Sequence, residues 1–149
     1  MKKLASYILC LTFIMFSADT ANGQEIPEAH KMENTAWHEV ILIDFKSGKM
    51  DEAMDIIDNY FMKASEKAGL PGPAMELEMQ TGKWDMMLVW DMDSISEMEW
   101  EVSPESEKFL KALSEQVGSF EKAQEIFSNY SSMISESTSF IATSDTGSE

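Results

Sequence analysis

Few side chains in this sequence carry proton or metal chemistry, and His38, Glu78 and Asp85 are the set whose spacing gives them something to do. The chain has two histidines, one cysteine and no arginine. Work near neutral pH therefore falls to an imidazole or to carboxylates with displaced pKa values. Glu78 and Asp85 flank Thr81-Gly82. If those two residues form a two-residue hairpin turn, the facing pairs are Gln80 with Lys83, Met79 with Trp84, Glu78 with Asp85 and Leu77 with Met86. Facing carboxylates repel, so one retains a proton or a cation bridges them. With His38 beside them, the three would make a general base with an orienting acid, or a site of one imidazole and two carboxylates. The competing reading is a solvated acidic rim on an acidic protein.

The elements that would position these residues follow from the pattern. Residues 1–23, "MKKLASYILCLTFIMFSADTANG", have a lysine head, an apolar run and small residues at Ala21 and Gly23. They read as an export signal, which implies a periplasmic or extracellular protein. The run is too short to span a membrane, and no membrane association is expected once the signal is removed. Cys10 lies inside the run, so the remaining chain has no disulfide or thiolate site. The whole chain carries a formal net charge of −16, one unit more negative after Lys2, Lys3 and Asp19 leave. Nucleic acid is a poor partner for such a surface.

Residues 24–35 contain Pro27 and His30, lack a period and read as a flexible leader. A single domain spans 36–144, and 145–149 read as a disordered tail. "AWHEVILIDFK", Ala36 to Lys46, is apolar on both faces, as in a strand covered on both sides. "KMDEAMDIIDNYFMKASEKAGL" repeats apolar residues at helical spacing, with Gly69 as its cap. The hairpin Leu77 to Met92 follows, then a helical turn within Ser94 to Val102. A long helix begins at Ser103-Pro104 and bends or breaks at Gly118. Ser137 to Ser144 closes the chain as a strand.

The order is βαββαβ, a ferredoxin-like α+β fold: an antiparallel four-stranded sheet with two helices on one face. The first and third strands are expected to be central neighbours running parallel, which would bring their starts, and so His38 and Asp85, to one end of the sheet. With the apolar hairpin face given to the helices, Val40, Leu42, Ala74, Met87 and Val89 occupy the open side, and Glu76 lies one step deeper than Glu78. An apolar open face implies an interface or a ligand groove. It is most simply covered by a second copy in a two-fold homodimer.

The element order and the doubly apolar "EVILIDF" resemble the dimeric α/β-barrel superfamily, which includes cofactor-independent monooxygenases, haem-degrading enzymes and stress-response domains. The resemblance, at the level of fold, covers Ala36 to about Ser144 and implies two sheets closing around a cavity lined by Val40, Leu42, Glu76, Met87 and Val89. The haem-degrading branch uses a histidine on its second helix, and Ile95 to Ile134 contains none. No cofactor is expected. The eleven methionines beyond the signal, Met32 through Met133, fall mostly on core faces, which favours packing over copper binding. Trp37, Trp84, Trp90 and Trp100 also read as packing residues rather than a stacking site. The leading expectation is an exported, non-catalytic domain that binds a small apolar ligand or mediates assembly. The alternatives are a monooxygenase-like or isomerase-like enzyme using His38 with Glu78 and Asp85, and a metal-binding protein.

Overall fold

The computed structural model describes Ile26 and residues 28–147. The expected signal segment 1–23 lies outside the described residues. The chain divides into two units, Met1–Lys31 and Met32–Glu149, and the fold below is that of the second.

Strand β1 (Thr35–Phe45) holds the β-branched and aromatic residues that suit a pleated, covered surface. It is followed by α1 (Met50–Ile56), a π-helical turn over Ile57–Phe61 and α2 (Met62–Ala68). Gly69 ends this run in the left-handed conformation at φ 67°, which glycine adopts without a Cβ penalty. Strands β2 (Met75–Glu78) and β3 (Met86–Met92) come next, then a 3-10 turn over Ile95–Glu99. The second helical region is two helices, α3 (Pro104–Val117) and α4 (Phe120–Met133). Gly118 at φ 96° breaks the run, and Ser119 caps the second helix by accepting the Lys122 amide. Strand β4 (Ile134–Asp145) completes the domain.

The sheet order is β2-β3-β1-β4, with every neighbouring pair antiparallel. The expected α+β, ferredoxin-like plan is therefore the fold, and the sheet is open in the single chain. The expected parallel pairing of the first and third strands is not. One helical return makes β2 run in the direction of β1, and the following hairpin reverses β3, so β3 runs against β1. Trp37 pairs with Met92 at one end of this ladder and Ile43 with Met86 at the other.

The hairpin register also differs from expectation. Glu78 faces Met86 and Leu77 faces Met87, one step from the register set by a two-residue turn. The connection is longer: the Met79 amide donates to the Asp85 carbonyl at 2.7 Å, with Gly82 at φ 102° between them. The cause is tertiary. The Asp85 amide donates to the Ile43 carbonyl at 2.9 Å, and its carboxylate accepts the Phe45 amide at 2.8 Å. Asp85 is thus bound to β1 rather than left free to close a tight turn. Because side chains alternate along a strand, a one-residue shift exchanges both faces of β2. Met75 and Leu77 join the open face, while Glu76, Glu78 and, by the same alternation, Ala74 turn to the helix side.

The helices cover the face that carries Ile41, Ile43, Phe45, Met86 and Leu88. Ile43, Phe45 and Met86 are buried there with Ala53 and Ile56 of α1 and Met133 of α4. A second cluster, Ala64, Ala112, Leu113 and Ala123, holds α2, α3 and α4 together. Phe61 packs against both clusters. Its ring stacks on Phe127 at 5.0 Å and meets Tyr130 edge-on at 5.3 Å. Strand β4 runs to Asp145, and the Thr146 amide bonds to the Asn34 carbonyl at 2.7 Å. The ladder thus takes in residues on both sides of the expected 36–144 limits.

Candidate functional site

The face of the sheet opposite the helices carries the candidate site. Strand alternation and the observed pairings place Val40 beside Val89 and Phe140, and Leu42 beside Met87 and Thr138. Met75 and Leu77 extend this surface across β2. Val40, Leu42, Met87 and Val89 are half-buried by their neighbours in the sheet, while Leu77 is 42% and Phe140 55% exposed. Apolar side chains from four strands thus form one continuous patch that no other element covers among the described residues. Isolated surface hydrophobes are ordinary, but a contiguous patch of this kind marks a contact surface.

His38 lies on the same face, at the end of the patch where β1 begins. Its Nδ1 is 2.9 Å from Asp91 Oδ1, and its Nε2 is 2.8 Å from Ser144 Oγ. Asp91 is the cross-strand partner of His38 on β3, and Ser144 on β4 pairs with Ala36, two residues before it. The His38 side chain keeps 19% of its exposure while that of Asp91 keeps 72%. The imidazole is thus held by partners on both sides, with the carboxylate at the solvent edge.

The structure does not bring His38, Glu78 and Asp85 together. With β3 antiparallel, Asp85 sits at the far end of β1 from His38, a separation of about 20 Å at roughly 3.4 Å per residue. Its carboxylate is engaged by the Phe45 amide. Glu78 is exposed on the helix side and accepts a bond from Gln80. Glu76 is also absent from the open face. It lies close enough to Tyr130 of α4 that its charge, added to the larger effect of burial, holds the Tyr130 phenol above its ordinary pKa. Val40, Leu42, Met87 and Val89 do share the open face. Among the described residues, no three His, Cys, Asp or Glu side chains converge as a metal site.

Asp91 and Ser144 are the residues that sequence reasoning missed. Asp91 would have followed from strand direction alone, since an antiparallel third strand brings its end, rather than its start, to His38. Ser144 lies in the expected closing strand, but its partner is 106 residues away.

No protein-family model matches the sequence, and no curated protein matches it significantly. Solved structures do share the fold. A NIPSNAP family protein from Agrobacterium tumefaciens aligns with a TM-score of 0.51 at 15% identity, over 81% of this chain and 95% of its own. A second NIPSNAP family protein from that organism, of unknown function, aligns at 0.52 and 10% identity, over 80% and 97%. These likenesses establish a shared ferredoxin-like α+β fold and leave the specificity of this domain unassigned, since one fold serves many sites.

Proposed function

We propose that the protein is an exported binding and assembly domain that works as a homodimer, its two open sheet faces opposed around a cavity for a small apolar ligand. The observation that carries this reading is the four-stranded apolar patch centred on Val40, Leu42, Met87 and Val89, which the helices leave uncovered. A two-fold interface would use each residue of such a patch twice. Burying it stabilises association by about 25 cal/mol for each Å² of apolar surface removed from water. The strongly acidic sequence disfavours anionic ligands, and the lining selects neutral, oily ones. Export rests on the charged and apolar segment at residues 1–23.

Sedimentation velocity on the purified protein, repeated with an apolar fluorescent probe, tests this reading. A dimer that binds the probe with saturation supports it. A monomer indifferent to the probe removes it.

A further inference from the structure

We propose that Ser144 is a nucleophile activated by His38 and positioned through Asp91, and that this end of the open face transfers the acyl group of a neutral, apolar carboxylic ester to Ser144 and then to water. This goes beyond the binding role proposed above and does not depend on it.

The argument begins with the direction of the hydrogen bonds. A carboxylate only accepts, so Asp91 Oδ1 at 2.9 Å makes Nδ1 the protonated nitrogen of neutral His38. Nε2 is then bare and can only accept. The 2.8 Å contact with Ser144 Oγ is therefore an O–H donated to the imidazole, which draws the proton away from the oxygen. Without Asp91 the tautomer would be free, and in the form with Nε2 protonated the serine would face a donor and be no more nucleophilic than in water. The order acid, Nδ1, Nε2, hydroxyl is one that recurs for serine nucleophiles on unrelated folds.

The setting supports the chemistry. The three side chains project from three adjacent strands, β3, β1 and β4, so their spacing is fixed by the sheet ladder rather than by a loop. Ser144 is exposed and open to a substrate. Ala142, Val40 and Val89 continue from it along the face as an apolar seat for an acyl chain. Strand alternation, which aims the Thr146 amide at Asn34 on the β1 side, aims the Asp145 amide away from β1, to the sheet edge where no strand pairs among the described residues. That N–H follows Ser144 directly in the chain and is the donor offered to a developing oxyanion.

In the first step, Oγ attacks the carbonyl carbon as its proton passes to Nε2. The tetrahedral adduct collapses, the bond to the alcohol oxygen breaks, and Nε2 returns the proton to that oxygen. Water then attacks the Ser144 ester and gives its proton to Nε2. Collapse of the second adduct releases the acid, and Ser144 recovers its proton. Asp91 holds the Nδ1 proton in a hydrogen bond throughout.

The test is labelling of the purified full chain with an alkyl fluorophosphonate, read by intact mass and peptide mapping, alongside the hydrolysis of p-nitrophenyl butyrate. The expected result is a single adduct on Ser144, absent in Ser144→Ala. The labelling rate should fall by about 100-fold or more in His38→Gln. In Asp91→Asn it should also fall, with an altered pH profile, because an amide no longer dictates the tautomer. Circular dichroism melts matching the parent show that each variant is folded. Rescue of the rate in Asp91→Glu marks a positioning role that a merely structural residue would lack. An unlabelled Ser144 in the folded parent, or a rate unchanged in folded His38→Gln, overturns the proposal.

Discussion

The Asp85 carboxylate accepts the Phe45 amide proton at 2.8 Å, while the Asp85 amide donates to the Ile43 carbonyl at 2.9 Å. One residue thereby ties the start of β3 to the end of β1 and sets the hairpin connection, a structural task for a side chain whose type suggests a base. Asp85→Ala leaves the partly buried Phe45 amide without this partner and is expected to cost about 1–3 kcal/mol in urea unfolding. Asp85→Asn, which keeps an acceptor oxygen, should cost less.

Leu113 is fully buried where α3 meets α2 and α4. Leu113→Ala opens a cavity that the surrounding alanines are too short to fill, so a loss of about 2–5 kcal/mol is expected by chemical denaturation. The open sheet face lies outside this cluster, and its ligand and association properties should survive at temperatures where the variant stays folded.

Tyr130 gives the fold a pH dependence of known sign. Burial, reinforced by the charge of Glu76, raises its pKa in the folded state. Below the ordinary tyrosine value of about 10, both states hold the proton and nothing is lost. Above it the unfolded chain releases the proton first, so stability falls as pH rises, until the folded-state pKa is passed. Unfolding free energies taken between about pH 8 and 11 should fall less steeply in Tyr130→Phe than in the parent. Glu76→Gln should give a smaller change in the same direction.

Much of the fold is legible in the sequence because its signals are local. The apolar period of Met50–Ala68, the glycine after it, and the serine-proline start of α3 are each read within one turn. The apolar residues on both faces of β1 likewise mark a strand and imply cover on both sides, of which the helices supply one. Hairpin register was not legible in this way. Thr81-Gly82 is a sound local turn signal, but the bonds of Asp85 to Ile43 and Phe45 come from another strand and override it. The resulting shift moves Glu76 and Glu78 to the helix side.

The site was half legible. Alternation sets His38, Val40 and Leu42 on one face of β1 and Met87 and Val89 on one face of β3, and giving the apolar hairpin face to the helices joins them. Asp91 and Ser144 meet His38 across 53 and 106 residues, and their choice depends on strand direction. One helical return followed by one hairpin settles that direction as antiparallel.

Leu42 lies near the middle of the uncovered patch and away from the helical core. A charge there opposes face-to-face packing without entering that core. Leu42→Lys is therefore expected to shift the protein to a monomer in sedimentation velocity, with a melting temperature close to that of a dissociated parent.

Native mass spectrometry of the purified protein at micromolar concentration tests the central claim most directly. The uncovered apolar face predicts a two-chain species that Leu42→Lys reduces to one chain. A parent protein that is monomeric under the same conditions would contradict the account.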